Sequence, residues 1–258
     1  MLIFARTRPR SAEYAVARTI SMQVCNTLTN GSNLLPLDIP LKWYVCGPTV
    51  YDVSHIGHAR TYICTDYIRR ILTDYFHAKV NFAMGMTDID DKIIDKALTQ
   101  STPWMDIARK YEDTFLTDLA VLNVKPPDAI LRVSEHVPDI ISYIQTILSN
   151  GHGYTTPNGV YFHVPSLQHS RYGKLGNIPG STTGDTEHST KRDPRDFALW
   201  KAAKANEPFW DSPWGPGRPG WHIECSAMTH SYFGESVDIH SGGIDLKFPH
   251  HTNEIAQW

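Results

Sequence analysis

Three segments near the start of the chain constrain its fold most strongly. An apolar run over Lys42–Gly47 is followed by a helical pattern over 57–76 and by a second apolar run over Lys79–Met86. Both runs have the length of buried strands, and between them apolar residues recur three and four positions apart, as on one face of a helix. These apolar residues are Ala59, Tyr62, Ile63, Tyr67, Ile71 and Tyr75. A strand, a helix and a second strand in this order predict a βαβ unit, and therefore an α/β fold with a parallel sheet.

Residues 1–22 differ in composition from the rest of the chain. They contain Arg6, Arg8 and two further arginines but a single acid, Glu13. An arginine-rich, acid-poor segment with several hydroxyl residues is typical of a mitochondrial transit peptide. We therefore expect this protein in the mitochondrial matrix, whereas an internal start at Met22 would give a cytoplasmic product. A disordered tail is the alternative interpretation.

The middle of the chain, residues 125–218, breaks the alternation of strand and helix. It contains one helical pattern, Val133–Leu148, and a hairpin pattern over Tyr154–Val164 that turns near Asn158-Gly159. We interpret this region as an insertion. It separates the first half of the sheet domain, residues 23–124, from its resumption over residues 219–258.

Composition excludes several classes of protein. The chain has 24 Lys and Arg against 27 Asp and Glu, a net charge of −3, so bulk positive charge cannot select its partners. A local patch can still bind nucleic acid. Four scattered cysteines do not form a disulfide framework and indicate reduced thiols in an intracellular compartment. No apolar run reaches the roughly 18 residues that a membrane span needs, so we expect no membrane partner.

His55, Gly57 and His58 lie between the first strand and the long helix. A helix N-terminus presents unpaired N–H groups and the positive end of the helix dipole, which attract anions. Gly57 allows close approach to the backbone, and the two imidazoles can donate to charge that develops on a phosphate. The pattern indicates a phosphate site. Two exposed histidines in a polar turn are the alternative.

Four side chains that are far apart in the sequence form a candidate metal set: Cys46, Cys225, His250 and Glu254. On a helix predicted from His250 onward, His250 and Glu254 share one face. Two thiolates, an imidazole and a carboxylate suit Zn²⁺. The spacing itself is weak support, because a single cysteine is usually a small buried hydrophobe, as we expect for Cys64. Three further histidines are rival ligands: His222, His240 and His251.

Three acids follow the second strand: Asp88, Asp90 and Asp91. They could hold a cation. We prefer to interpret them as helix caps that also pair with the helix dipole.

A pair of glycines, Gly242 and Gly243, follows a strand predicted over Val237–His240. The carboxyl edge of a parallel sheet is where open α/β folds bind nucleotides, and Asp245 could accept a hydrogen bond from a ribose hydroxyl. A glycine pair is also frequent in simple turns, so this signal is weak alone.

Taken together, these segments resemble the cysteinyl-tRNA synthetases. The matching stretches are Tyr44–Asp52, His55–His58, Thr87–Ile93, Pro219–Met228, Gly242–His251 and Asn253–Gln257. The resemblance runs from about Cys25 to the end of the chain, and the combination is far more specific than the tetrapeptide His55–His58 alone. It implies a class I aminoacyl-tRNA synthetase. Its Rossmann-like (HUP-type) parallel-sheet catalytic domain would be interrupted by an inserted connective peptide.

The resemblance also implies an activity. Such an enzyme is a cysteine–tRNA ligase: it activates L-cysteine with ATP and Mg²⁺ and passes the cysteinyl group to tRNA(Cys), here in mitochondrial translation. One Zn²⁺ per chain is implied. Direct ligation of a thiolate by zinc separates cysteine from serine, which the shape of a pocket does poorly.

Residue by residue, the resemblance assigns four roles. The zinc ligands would be Cys46, Cys225, His250 and Glu254. The cysteine pocket would be formed by Gly47, Thr87, Trp221 and His250. The catalytic residues, facing the ATP phosphates, would be His55, Gly57 and His58. The adenosine side of the ATP site would be formed by Gly242, Gly243 and Asp245.

The chain also departs from this family. Members continue with more strands, a KMSKS loop and a helical anticodon-binding domain, so we expect a chain truncated at its C-terminus that lacks these parts. Two alternatives stay open. The first is a non-catalytic zinc- and nucleotide-binding fragment that acts only by binding a partner. The second is a related ligase that transfers cysteine to an amino sugar, against which the arginine-rich leader argues.

Overall fold

The computed structural model describes residues 2–5, 21–167, 172–176 and 190–258, so most of the expected transit segment lies outside the described residues. The strands in this part of the chain are β1 (Leu2–Ala5), β2 (Ser21–Asn26), β3 (Gly31–Pro36), β4 (Leu41–Val45), β5 (Val80–Met86), β6 (Ala129–Arg132), β7 (Gly153–Thr156), β8 (Gly159–Phe162), β9 (Phe197–Ala202), β10 (Gly217–Pro219) and β11 (Ile239–Gly242). The α-helices are α1 (Ile56–Arg70), α2 (Asp91–Gln100), α3 (Trp104–Val121), α4 (Val137–Ser149), α5 (Trp221–Phe233) and α6 (His250–Gln257). A π-helical turn over Ile71–Tyr75 extends α1. Among the described residues, no helix is both long and apolar enough to cross a membrane.

A five-stranded sheet carries the site. Its order is β1-β11-β4-β5-β6, in which β11, β4, β5 and β6 run parallel and β1 is an antiparallel edge strand. The predicted βαβ unit is confirmed, because β4 and β5 are parallel neighbours and α1 connects them. The carboxyl ends of β4, β5 and β11 therefore meet at one edge of the sheet, which is where open α/β sheets bind ligands.

Both faces of the central strand β4 are covered. The consecutive residues Trp43, Tyr44 and Val45 are all fully buried, and successive side chains of a strand point to opposite faces. Trp43 packs edge-on against Phe82, with ring centroids 5.2 Å apart, in one core cluster, whereas Tyr44 belongs to the other. Burial on both faces is the usual state of parallel sheets, and it explains why β4 reads as an unbroken apolar run.

A second, antiparallel sheet has the order β10-β9-β8-β7. Strands β7 and β8 form the hairpin that the sequence predicts. The main sheet continues beyond the boundary expected at residue 125, because β6 pairs in parallel with β5 through Arg132. The residues of the second sheet therefore begin later in the sequence than expected. Strand β6 has only two large apolar residues, Ile130 and Leu131, which is too short a run to show a strand pattern.

Only the N-terminal part of the apolar face predicted for α1 packs against the core, where Tyr62 is buried. Its C-terminal members are exposed: Tyr67, Ile71 and Tyr75. The buried residues include Asp66 and Arg69 instead. Arg69 donates to the carbonyl of Pro126 at 2.6 Å, and Asp66 accepts from the backbone N–H of Lys125 at 3.2 Å. These polar side chains face inward because they satisfy backbone groups of the segment before β6, which hydrophobic periodicity cannot reveal.

Helix α5 was not predicted from the sequence. It begins directly after Gly220, and every residue from Ile223 to Thr229 is buried. A helix that is buried on nearly all sides lacks a polar face, so its sequence shows no 3.6-residue period. At the next strand, β11 includes Gly242, two residues beyond the predicted end at His240.

Candidate active site and metal centre

Three loops and four helices line a cavity of about 830 Å³ at the carboxyl edge of the main sheet. The loops follow β4, β5 and β11, and the helices are α1, α2, α5 and α6. The loops after β4 and β5 are tied together by backbone hydrogen bonds. The Thr87 N–H donates to the Pro48 carbonyl at 3.2 Å, and the Thr87 carbonyl accepts from Val50 at 3.1 Å. The volume is within the usual range for a small-molecule site.

The predicted metal set converges in space. One donor atom from each of Cys46, Cys225, His250 and Glu254 lies within 4.8 Å of the other three, and all four residues are buried. Cys46 Sγ is 3.7 Å from Cys225 Sγ and 3.6 Å from Glu254 Oε1. His250 Nε2 is 2.9 Å from Glu254 Oε1. Helix α6 places His250 and Glu254 on one face, as predicted.

The two distances from Cys46 fit a tetrahedral zinc ion. With Zn–S bonds of about 2.3 Å and Zn–O bonds of about 2.1 Å, tetrahedral geometry places two sulfurs about 3.8 Å apart and a sulfur and an oxygen about 3.6 Å apart. The corresponding distances here are 3.7 Å and 3.6 Å. Two sulfur donors also favour zinc over magnesium or calcium, which prefer oxygen ligands.

The three rival histidines surround this set. His240 Nε2 lies 2.6 Å from Oε2 of Glu254, the oxygen that faces away from Cys46. His222 Nδ1 lies 3.2 Å from His250 Nδ1. His240 and His251 also form a three-donor group with Cys46. The first set has one more donor, and its two distances from Cys46 match tetrahedral zinc. In that arrangement His240 is the neighbour that holds the second oxygen of Glu254.

Burial and neighbouring charges shift the pKa values of the groups in this centre in different directions. A hydrogen bond with Cys46 lowers the pKa of Cys225 against the effect of burial, whereas burial raises the pKa of Cys46. Burial alone would raise the pKa of Glu254, but the charges of His240 and His250 outweigh it and hold that pKa well below its ordinary value. The charged form of Glu254 thus depends on nearby positive charge, which His240 and His250 provide.

The first turn of α1 carries a reciprocal cap. The Gly57 N–H donates to His55 Nδ1 at 3.1 Å, and the His55 N–H donates to His58 Nδ1 at 3.3 Å. Because each Nδ1 accepts a backbone hydrogen, this network assigns the proton of each neutral ring to Nε2. Burial, together with the nearby His55, lowers the pKa of His58 and so favours its neutral form. Both rings therefore keep an N–H donor for a ligand in the cavity, which they both line.

The glycines predicted at the site serve different purposes. A Cβ at Gly57 would lie 2.8 Å from His55 Cε1, so a side chain there would displace the capping ring. Gly243 and Asp245 line the cavity, as expected for a ligand contact. Gly242 is not among the described residues that line it. Gly242 lies in β11, where a Cβ would come within 2.8 Å of His251 Nε2, so packing explains this glycine.

Four residues are assigned to the amino-acid pocket: Gly47, Thr87, Trp221 and His250. All four line the cavity, next to the metal set. Trp221 stacks on His250 with ring centroids 4.6 Å apart. Thr87 Oγ1 donates to Glu224 Oε2 at 2.9 Å. Burial, followed by the charge of Cys225, raises the pKa of Glu224 well above its ordinary value.

Glu224 was not among the site residues predicted from the sequence. The available signal was an acidic residue directly before a candidate ligand, Cys225. Cys64 also differs from its prediction, because it is exposed and lines the cavity instead of being a buried hydrophobe.

The acids after β5 have structural roles. Asp90 caps α2 by accepting from the Lys92 N–H at 3.0 Å, which confirms the capping interpretation for this residue. Asp88 is buried and accepts from the backbone N–H of Ser134 at 2.9 Å. Asp91 lies in the first turn of α2 and pairs with two cations of the second sheet: Lys201 and Arg218.

Comparison with known proteins gives a consistent result. Residues 37–258 match a family model described as "tRNA synthetases class I (C) catalytic domain". The chain is 52% identical over 229 residues to the cytoplasmic cysteine–tRNA ligase of Dictyostelium discoideum, with 84% of this chain and 35% of that protein covered. It is 50% identical over 239 residues to "Probable cysteine--tRNA ligase, mitochondrial" of Xenopus tropicalis, with 92% and 42% covered. It is 48% identical over 244 residues to the cysteine–tRNA ligase of Methanococcus maripaludis strain C7, with 92% and 50% covered.

Solved structures show the same fold at lower identity. A Mycobacterium tuberculosis methionyl-tRNA synthetase in complex with methionyl-adenylate superposes with a TM-score of 0.61 at 17% identity, over 84% of this chain and 54% of that one. The chain spans about a third to a half of the length of the curated relatives described above.

Proposed function

The chain belongs to the class I (C) tRNA synthetase catalytic-domain family, and from that premise we propose that it is the catalytic part of a cysteine–tRNA ligase. Its reaction would join L-cysteine to ATP, release pyrophosphate, and pass the cysteinyl group from the adenylate to tRNA(Cys). One observation carries the proposal. The buried cluster of two thiols, an imidazole and a carboxylate borders the same cavity as the capped N-terminus of α1.

Cys46, Cys225, His250 and Glu254 would hold one zinc ion. When bound, Zn²⁺ supplies a thiophilic Lewis acid that can take the substrate sulfur as a further ligand, a preference that serine does not satisfy. Trp221, stacked on His250, would close one side of this pocket. Gly47 would contribute its backbone, because a Cβ there would collide with the carbonyl of Gly85. Specificity would thus reside in the donor set, and the cavity walls would position the substrate.

His55, Gly57 and His58 would bind the phosphates. As the cysteine carboxylate attacks the α-phosphorus in line with the leaving pyrophosphate, negative charge grows on the phosphate oxygens. The Nε2–H groups of His55 and His58, which line the cavity, and the N-terminus of α1 would stabilise that charge. The first turn of α1 contains no acid that would oppose it. Gly243 and Asp245 would contact the adenosine, and Mg²⁺ would enter with ATP.

Exchange of pyrophosphate into ATP, dependent on cysteine, tests the proposal. Zinc-loaded protein should catalyse exchange with cysteine and not with serine, and elemental analysis should find one zinc per chain. Binding of zinc and ATP without exchange above background would favour the alternative, a non-catalytic fragment that acts only by binding a partner. Charging of tRNA(Cys) would then be measured separately, because transfer is a later step than activation.

We also propose a mitochondrial location. The arginine-rich composition of residues 1–22 and the similarity to the Xenopus tropicalis relative support it. The Dictyostelium discoideum relative is cytoplasmic and equally similar, so the test needs two fusions to a fluorescent protein. The full chain should be imported into mitochondria, and the chain that begins at Met22 should stay in the cytoplasm. A cytoplasmic full-length fusion would refute this proposal.

A further inference from the structure

Glu224 is a buried acid next to the cavity but not on its surface. It lies in the first turn of α5 and is 2% exposed. Within the described part of the chain, no Lys, Arg or His forms an ion pair with it, and its hydrogen bond is with the hydroxyl of Thr87 at 2.9 Å. A carboxyl group that is buried without a cationic partner is costly, so its presence calls for a reason.

The partner, Thr87, has one polar group left to offer a ligand. Its backbone N–H and carbonyl are both used in hydrogen bonds with the loop after β4. Its hydroxyl hydrogen is directed to Glu224. Thr87 lines the cavity, and its hydroxyl oxygen can therefore only accept a hydrogen bond from a ligand there. An ionised carboxylate can only accept, and a neutral carboxyl still has a carbonyl oxygen that can accept the hydroxyl hydrogen, as Oε2 of Glu224 does here.

We propose that Glu224 is a positioning residue that fixes the Thr87 hydroxyl as an acceptor for the α-ammonium group of the amino-acid substrate. This inference rests on the proposed function and specifies how the site recognises the amino group. An ammonium has donors and no acceptor, so it matches a threonine oxygen whose own hydrogen is already committed. Without Glu224, the hydroxyl could rotate and present its hydrogen to the ammonium, which would oppose binding.

The experiment compares two ligands that differ in the amino group alone. Zinc-loaded protein is titrated calorimetrically with L-cysteine and with 3-mercaptopropionate, its des-amino analogue. The Glu224→Met variant keeps the length of the side chain and removes the acceptor, whereas Glu224→Gln keeps a carbonyl oxygen that can accept. Zinc content, measured on each preparation, reports whether Cys225 and the rest of the metal set are intact.

We expect Glu224→Met to weaken cysteine binding about 10- to 100-fold, the usual effect of losing a hydrogen bond to a charged group, with 3-mercaptopropionate unaffected. Glu224→Gln should restore most of the preference for cysteine. Thr87→Val should reproduce the selective loss, and adding Glu224→Met to it should cost nothing more, because both act through one hydroxyl. If Glu224→Met does not fold, Thr87→Val still tests the contact that the inference requires: weakening of both ligands to the same extent would overturn it.

Three results would overturn the inference. Equal weakening of both ligands would show a merely structural role for Glu224, and unchanged binding of both would show no role. Additive losses in the double variant would show that Glu224 does not act through Thr87. Failure of the proposed function would give a different result, because the wild-type protein would then bind neither L-cysteine nor 3-mercaptopropionate.

Discussion

Replacing His240 by phenylalanine should weaken zinc binding without removing a ligand. His240 Nε2 lies 2.6 Å from Oε2 of Glu254, and the other oxygen of Glu254 faces Cys46 and His250. The substitution keeps an aromatic ring beside Tyr44, whose ring centroid is 5.2 Å away, and removes the hydrogen-bond donor. Glu254 would then be free to turn its carboxylate away from the metal position.

Two estimates of the loss agree. A hydrogen bond to a charged group contributes about 1.5 to 3 kcal/mol, and 1.4 kcal/mol corresponds to about a tenfold change in affinity. Groups that orient metal ligands typically change metal affinity about 10- to 100-fold when they are replaced. We therefore expect His240→Phe to raise the zinc dissociation constant about 10- to 100-fold, with the fold intact.

The assay is competition with a chromophoric zinc chelator, read by absorbance, on protein reloaded with zinc. His251→Phe is the matched control, because it places the same ring at the other histidine of the three-donor group with Cys46. That variant should leave zinc affinity nearly unchanged, since His251 lies outside the four-donor set.

Two results would refute this reasoning. Unchanged affinity in His240→Phe would show that the contact with Glu254 does not orient the ligand. Complete loss of zinc in both His240→Phe and His251→Phe would show that the ion binds the three-donor group instead.

Three further predictions concern other parts of the site. Cys225→Ser should lose stoichiometric zinc, as measured by elemental analysis, and should lower cysteine-dependent exchange at least about 100-fold; retention of both would exclude Cys225 as a ligand. His55→Ala removes the side-chain cap on the Gly57 N–H, so urea denaturation should show a loss of about 1 kcal/mol in the free energy of unfolding, and an unchanged value would show that the cap is not formed. Folding lowers the pKa of His58. As the pH falls below about 6.5, this side chain is therefore protonated in the unfolded chain before it is protonated in the folded protein. The free energy of unfolding should thus decrease on acidification. His58→Asn should show a shallower decline than the wild type between neutral and mildly acidic pH, and parallel curves would contradict the prediction.

The sequence predicts the parts of the fold that carry a strong local pattern. Strands β4 and β5 are unbroken apolar runs because both of their faces are buried, and α1 lies between them as expected. Helix α5 could not be predicted for a related reason. Because it is buried on nearly all sides, its sequence lacks the polar face by which an amphipathic helix is identified. Strand β6 could not be predicted because a four-residue strand has too little sequence to show a period.

The residue types of the candidate site could be predicted from the sequence, but their arrangement in space could not. Residue types alone suggest a thiol, imidazole and carboxylate set, but the choice among His222, His240, His250 and His251 depends on distances that sequence spacing does not contain. The role of Glu224 is also a tertiary property. Its hydrogen bond with Thr87 joins residues that are 137 positions apart, and no local pattern encodes such a contact.

Cys46 and Cys225 are 179 positions apart and flank the entire second sheet. An ion held between them would close a long loop in the folded chain, so its binding free energy would also oppose unfolding. At a free zinc concentration about 1,000 times the dissociation constant, this linkage amounts to about 4 kcal/mol. Zinc starvation in a cell would then reduce the amount of this protein through degradation of the unfolded chain, in addition to any direct loss of catalytic turnover.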